Sequence, residues 1–149
     1  MAGLYFEEFS VGQSITTVGR TVSEDAIFSF AGLTGDYNQI HTDADFASKT
    51  QFGRRIAHGL LGLSIAVGLI MRSGLLEGTV LAFREINDWK FVKPFFIGDT
   101  IHAELTISET RALPRIGGGA LTATVVVKNQ HDEACQRGSL NLLVLSKPK

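Results

Sequence analysis

Residues 59–71 read Gly-Leu-Leu-Gly-Leu-Ser-Ile-Ala-Val-Gly-Leu-Ile-Met and form the longest nearly continuous apolar stretch in the chain. A membrane-spanning helix needs about 20 apolar residues, so this stretch is too short to cross a bilayer. As a helix it would be apolar on every face, and a helix without a polar face must be enclosed by other structure. The sequence therefore predicts a central, buried helix.

The structure that encloses this helix is predicted by segments in which apolar and polar residues alternate with a period of two. The predicted strands cover residues 15–22, 80–92, 101–107, 121–127 and 140–144. A hairpin loop is expected at 129–133, and a turn or flexible loop at 117–119. Because most strands follow the helix instead of alternating with helices, we predict an α+β fold with an antiparallel sheet wrapped around a central helix.

Length and composition exclude several classes of protein. The chain has 149 residues, enough for one ordinary domain with a core and too few for two, so we predict a single domain over residues 1–149. The net charge is −1 and neither sign forms a block, which disfavours nucleic-acid binding. The lone Cys135 suits a reducing compartment. The first eight residues lack the pattern of a signal peptide, so we expect a cytoplasmic protein without membrane attachment.

A carboxylate and an imidazole, Asp36 and His41, lie five positions apart. Ser23 is expected to cap a helix that Gly35 ends, which places both side chains on a loop. Residues five apart on a helix point about 140° apart, whereas a loop can aim both at one water. Asp in turns is common for backbone reasons alone, so the spacing by itself leaves a structural role open. Asn38 is expected to shape the loop.

Three segments together carry a resemblance to a known family. They are Gly35-Asp36-Tyr37-Asn38-Gln39-Ile40-His41, Phe52-Gly53-Arg54-Arg55-Ile56-Ala57-His58-Gly59 and Phe91-Val92-Lys93-Pro94-Phe95-Phe96-Ile97-Gly98-Asp99. On these motifs the chain resembles the MaoC-like dehydratases, a hot dog fold family that includes the (R)-specific enoyl-CoA hydratases. Gln39 stands where the family usually has Pro, which would stiffen the loop by fixing φ. The resemblance implies one MaoC-like hot dog domain over nearly the whole chain.

The resemblance also implies catalytic roles. In the family, the residues that match Asp36 and His41 hold the water that adds to, or leaves from, an α,β-unsaturated acyl thioester. Hydration needs a base for the water and an acid for Cα, and the sequence does not assign which residue is which. Gly59 is implied as the oxyanion donor, because amides at a helix start can hold charge on the thioester oxygen.

Substrate-binding residues are expected near the same motifs, and we predict Asn38, His58, Arg54 and Arg55. The two arginines are candidates for the phosphates of coenzyme A, with a solvated loop as the alternative. For His58 the alternative is a local hydrogen bond at the helix start. A zinc site could be formed from Asp36, His41, Asp43 and His58, but their spacings match none of the common metal motifs, so no metal is expected. No other cofactor is expected, because the hydration that the resemblance implies needs no redox cofactor.

The predicted function is reversible hydration of an enoyl-CoA to a (R)-3-hydroxyacyl-CoA. The alternatives are an acyl-CoA thioesterase, since hot dog domains also host thioester hydrolysis, and a non-catalytic module that binds acyl thioesters. The substrate would be a thioester of coenzyme A or of an acyl-carrier protein, with Phe28, Phe30 and Leu33 as candidates to line an acyl channel. Because a small sheet around one helix leaves edge strands exposed, a homodimer or dimer-based oligomer is expected, with the acyl channel near the interface.

Overall fold

A computed structural model describes residues 3–149 of the chain. Residues 1–2, part of the segment used above against a signal peptide, lie outside the described residues. The helices are α1 (Glu24–Thr34), α2 (Gln39–Thr42), α3 (Ala44–Ser48) and α4 (Gly59–Arg72), with 3₁₀ turns at Phe6–Glu8 and Pro114–Ile116. The strands are β1 (Ser14–Thr16), β2 (Arg20–Thr21), β3 (Val80–Phe91), β4 (Thr100–Leu113), β5 (Gly118–Lys128) and β6 (Ala134–Leu145).

The strands form an antiparallel sheet in the order β1-β4-β5-β6-β3, and β2 pairs with β4 beside β1. The strand predicted over residues 15–22 is therefore two short strands. At Thr17, between them, the main-chain N–H donates to the Ala103 carbonyl at 2.9 Å, but the Ala103 N–H donates at 2.9 Å to the Thr17 hydroxyl and not to a main-chain oxygen, so the regular ladder is interrupted. The predicted hairpin loop at 129–133 is confirmed, since it joins β5 to β6.

Helix α4 lies against one face of this sheet, as the apolar stretch predicted. The residues of β4, β5 and β6 that alternate toward the helix are buried, and so is most of α4. The α4 residues in this core are Leu61, Ile65, Ala66, Leu69 and Ile70. Burying a Leu or Ile side chain contributes about 1.5–3 kcal/mol. The predicted hot dog arrangement, an α+β sheet wrapped around a central helix, is confirmed.

Two features of α4 and the sheet differ from the expectations. Helix α4 is not enclosed on every face, because Leu60, Ser64 and Gly68 form an exposed stripe. The turn predicted at 117–119 is limited to Gly117, with a φ of +66°, whereas Gly118 and Gly119 begin β5. These two glycines are needed for close packing, since an added Cβ would collide with the Val144 carbonyl or with the Phe6 ring.

None of the helices within residues 3–149 has both the length and the apolar character needed to span a membrane.

Candidate active site

Asp36 lies directly after α1, as the sequence predicted. Ser23 Oγ accepts the Ala26 N–H at 3.1 Å and begins the helix, and Gly35, with a φ of +80°, ends it. The Asp36 side chain is exposed, and its Oδ1 accepts the Asn38 N–H at 3.2 Å. The carboxylate therefore stands at the start of a short turn and keeps its second oxygen, Oδ2, available.

His41 lies in the single-turn helix α2, so the prediction that it sits on a loop is wrong. Asn38 begins this helix: its side-chain oxygen accepts the Ile40 N–H at 3.2 Å, and its main-chain oxygen accepts the His41 N–H at 2.9 Å. An Asn at this position satisfies an amide that would otherwise have no partner at the helix start. Asn38 thus shapes the segment that carries both candidate catalytic side chains.

The imidazole of His41 is 7% exposed and has a defined tautomer. Its Nδ1 lies 2.7 Å from the main-chain oxygen of Ile56. Because a carbonyl can only accept a hydrogen bond, Nδ1 carries the hydrogen and Nε2 presents a lone pair. Burial lowers the pKa of His41, and the neighbouring His58 lowers it further, while the Ile56 carbonyl and Asp36 oppose the shift. The environment of His41 therefore favours the neutral imidazole.

His58 contacts both Asp36 and His41 and is 2% exposed. Its ring stacks on the ring of His41, with centroids 3.9 Å apart, and packs against Phe30 at 4.9 Å. Its Nε2 lies 2.9 Å from the main-chain oxygen of Asp36. Its Nδ1 is enclosed and has no hydrogen-bond partner among residues 3–149. One nitrogen of His58 is thus hydrogen-bonded and the other is enclosed, and its ring packs against two aromatic side chains.

Asp36, His41 and His58 converge, because each offers an atom that lies within 4.8 Å of the others. This is also the geometry of a three-residue metal cluster, yet one nitrogen of each histidine is already hydrogen-bonded to a carbonyl. Asp43, the fourth zinc-competent residue near the motif, instead caps α3 through a 3.0 Å bond from the Phe46 N–H.

Gly59 is the first residue of α4, beside this cluster. The first amides of a helix have no acceptor within the helix, and the His58 side chain does not cap them. A Cβ on Gly59 would lie 2.7 Å from the ring of Phe91. The glycine is therefore required by the packing of β3 on the helix start, and it leaves an amide that can face a ligand.

Gln136 is a site residue that sequence reasoning missed. It is buried on β6, and its Nε2 donates to the Gly59 carbonyl at 2.8 Å, while its Oε1 accepts from Trp89 Nε1 at 3.2 Å. It reaches the helix because Gly62 has no side chain; a Cβ there would lie 2.7 Å from the Gln136 amide nitrogen. The signal in the sequence was that Gln136 is in phase with the alternating buried positions Leu140, Leu142 and Val144 of the same strand.

The two arginines of the motif have different environments. Arg55 is mostly buried, and its Nη2 pairs with Glu24 Oε1 at 2.6 Å. Arg54 is exposed, lies over the Phe96 ring at 4.0 Å, and makes no ion pair with any residue that the structure describes. A shallow cleft beside both arginines is lined also by Ala44, Gly53 and Ile97. Of the two, Arg54 has the free charge.

A groove of about 390 Å³ runs between α1 and α4. Phe30, whose ring touches His58, lines it together with Leu33, Leu61 and Ile65. Helix α1 buries Ile27 and Ala31 in the core, so its second apolar stripe, which includes Phe30 and Leu33, is available to the groove. Phe28 lies elsewhere, at 5.7 Å from the Arg55 guanidinium.

Comparison with known families matches residues 7–136 to the MaoC like domain. The chain belongs to the MaoC-like domain family. This MaoC-like chain is 36% identical over 104 residues to the (R)-specific enoyl-CoA hydratase of Rhodospirillum rubrum, a match that covers 70% of the chain and 69% of that protein. It is 38% identical over 102 residues to Protein MaoC of Klebsiella aerogenes, where the match covers 68% of the chain but only 30% of the relative.

Among solved structures, the monoamine oxidase regulatory protein from Archaeoglobus fulgidus superposes with a TM-score of 0.91 at 38% identity. That match covers 99% of this chain and 98% of the Archaeoglobus chain. The MaoC-like relatives therefore include proteins named as hydratases and one named as a regulator.

Proposed function

We propose that this protein catalyses the reversible addition of water to the double bond of an enoyl-CoA thioester, giving a (R)-3-hydroxyacyl-CoA. The observation that supports this most directly is the convergence of Asp36 with a buried His41 whose Nδ1 is hydrogen-bonded to the Ile56 carbonyl. A family relationship to proteins named as enoyl-CoA hydratase and 3-hydroxybutyryl-CoA dehydratase supports the same reaction, and the (R) configuration follows the relatives.

The proton transfers of the reaction follow from the tautomer of His41. In the hydration direction, we propose that the water oxygen bonds to Cβ while one water proton moves to Nε2 of His41. The Asp36 carboxylate accepts a hydrogen bond from the second water hydrogen and stabilises the imidazolium that forms. The proton on Nε2 then passes to Cα, which restores the neutral imidazole and balances the addition of one water.

The start of α4 would stabilise the charge that develops on the thioester oxygen. Attack at Cβ moves negative charge to that oxygen as the enolate forms, and amides at a helix start attract anions. We assign the Gly59 N–H as the donor. The bond from Gln136 to the Gly59 carbonyl holds the adjoining peptide in place.

The two ends of the substrate fit different surfaces. We propose that Arg54, which has no competing ion pair among the described residues, contacts the phosphates of coenzyme A. The acyl chain would lie in the groove between α1 and α4, which adjoins the site through Phe30. Asn38 supports the substrate site by holding α2. The single domain over residues 1–149 and the cytoplasmic location remain predictions.

We further propose that two copies of the chain associate through β3. This strand is at the edge of the sheet, and its apolar side chains are exposed, among them Leu81, Phe83 and Ile86. Exposed apolar edge strands are normally covered, and a symmetric dimer covers two at once. Phe91, at the end of β3, touches the position of Gly59, so a dimer formed here would put the active site next to the interface.

The experiment that tests the proposal follows the conjugated enoyl absorbance of several enoyl-CoA thioesters while free thiol is monitored in parallel. Loss of absorbance without thiol release, with (R)-3-hydroxyacyl-CoA found by chiral analysis, is the expected result. Thiol release would favour the thioesterase alternative. Binding without turnover across the panel would favour the non-catalytic module.

A further inference from the structure

We propose that His58 is a positioning residue, which aligns the Asp36 carboxylate with His41 through the hydrogen bond from its Nε2 to the Asp36 carbonyl. The inference rests on the proposed function, because it assigns to a third buried residue a part in that reaction. The Asp36 carboxylate is exposed, so a contact elsewhere must hold it in place.

The Asp36 segment has few other constraints. The Asp36 N–H donates to Thr34 Oγ1 at 3.2 Å, and Oδ1 accepts from the Asn38 N–H at 3.2 Å. Both contacts are local and exposed. The His58 bond, at 2.9 Å, is shorter and spans 22 positions of the chain. It is therefore the contact that ties Asp36 to the core, since His58 is itself almost fully buried.

The chemistry of the ring limits what else His58 can do. Its Nε2 faces a carbonyl oxygen, which only accepts hydrogen bonds, so Nε2 carries the hydrogen. Nδ1 then carries a lone pair, but this atom is enclosed. Neither nitrogen is open to a substrate or its water. His58 thus acts on the reaction through Asp36 and through its stacked neighbour His41 and not by proton transfer of its own.

The position of His58 in the chain also connects the Asp36 loop to the start of α4. His58 immediately precedes Gly59, so one residue links the Asp36 loop to the start of α4. Its ring also lies 3.9 Å from that of His41. The proposed base His41, the Asp36 carboxylate that would hold its water and the proposed oxyanion donor are therefore fixed relative to each other by the same buried side chain.

Variants of His58 can distinguish the effect of the hydrogen bond to Asp36 from the effect of ring stacking on His41. His58→Gln places an amide N–H near the position of Nε2 and keeps the donor, while His58→Phe keeps a ring for stacking and loses the donor. His58→Leu also loses the donor and is smaller than Phe, in case Phe does not fit. Thermal unfolding checks that each variant is folded.

The expected result is that the two variants without a donor lose kcat by about 10- to 100-fold, the range expected from small misplacements of reacting groups. KM changes by less than about threefold, and His58→Gln keeps kcat within about fivefold of the parent. A variant that is folded but lacks the donor and keeps the parent kcat would overturn the proposal.

A second readout does not depend on turnover. Backbone ¹⁵N relaxation of residues 36–38 should show increased motion in the donor-less variants and parent-like order in His58→Gln. If the parent enzyme has no hydratase activity but the relaxation pattern follows this prediction, the positioning role holds and the proposed function fails. Unchanged order of residues 36–38 in His58→Phe and His58→Leu would refute the positioning role, whatever the activity.

Discussion

His41 donates its Nδ1 hydrogen to the main-chain oxygen of Ile56 across 2.7 Å. This bond joins two motifs that lie 15 positions apart in the chain. The same Ile56 residue donates its N–H to the Ile40 carbonyl at 3.2 Å, and Ala57 donates to the Phe95 carbonyl at 2.7 Å. The segment before α4 is therefore held from both sides, and the orientation of His41 is fixed by the main chain.

We predict that Asp36→Asn and His41→Asn each lower kcat for hydration by about 10² to 10⁴, because His41 is the proposed base and the Asp36 carboxylate is proposed to hold the water and stabilise the imidazolium. The Asn amide at position 41 can still donate to the Ile56 carbonyl, so this variant removes the lone pair of Nε2 while keeping the structural bond. Steady-state kinetics and thermal unfolding measure the two effects.

Because both groups are proposed to act on one water, the double variant should be little slower than the slower single variant. Losses that multiply would show that Asp36 and His41 act independently. Single variants that keep more than about half of the parent kcat would contradict the assigned roles.

The rate should depend on pH in a defined direction. Burial lowers the pKa of His41, and the neutral ring is the proposed base. We therefore expect kcat/KM for hydration to rise with pH through a midpoint below the usual histidine value of about 6.5, and to level off above it. A midpoint above that value would contradict the proposed base.

The stability of the fold should also depend on pH through the protonation of His41. A histidine whose pKa is lowered in the folded state takes up a proton more readily in the unfolded state. Its contribution to the free energy of unfolding is therefore complete above the unfolded pKa and is lost as the pH falls toward the folded pKa. Lowering the pH should therefore decrease the melting temperature of the parent more than that of His41→Asn, as measured by thermal unfolding. An equal decrease in the melting temperatures of the two proteins in acid would argue against a lowered pKa of His41.

Gly59→Ala should lower kcat by about 10² to 10³ if the added methyl group keeps the thioester oxygen from the helix-start amide. The methyl would also meet the ring of Phe91 at 2.7 Å. The double variant with Phe91→Ala removes this collision, so activity that returns in the double variant would show that packing, and not access to the amide, caused the loss.

Arg54→Gln should raise KM for a CoA thioester by about fivefold, since an exposed ion pair contributes about 1 kcal/mol. The same variant should leave KM unchanged for an N-acetylcysteamine thioester, which has no phosphates. Arg115→Gln, at an exposed arginine of the 3₁₀ turn after β4, is the matched control. Equal effects on both thioesters would place the phosphates elsewhere.

Ile86→Lys should dissociate the proposed dimer, because it puts a charge on an exposed apolar position of the edge strand β3. Light scattering at micromolar concentration measures the mass of each protein. Val18→Lys is the control, since Val18 is also exposed but lies between β1 and β2. A parent protein that is monomeric, or an Ile86→Lys variant that stays dimeric, would contradict the interface.

The sequence by itself determined the central helix and the antiparallel sheet that packs against it. Both follow from local patterns: a stretch such as 59–71 has no polar face, and alternation with a period of two commits one face of a strand to the core. The end of α1 could also be predicted from local sequence, because Gly35 readily adopts the left-handed backbone conformation that ends the helix. The family motif pointed to Asp36 and His41, whose roles remain a proposal.

Only the tertiary structure decided how these groups meet. Three hydrogen bonds of the site join residues that are distant in the chain: His41 to Ile56, which sets the tautomer of His41, His58 to Asp36, and Gln136 to Gly59. The patterns of a sequence report backbone preference and burial, whereas a hydrogen bond across 77 positions depends on the three-dimensional packing of two elements. For that reason Asp36, His41, His58 and Gly59 could be identified as candidates from the sequence, but Gln136 and the geometry of the site could not.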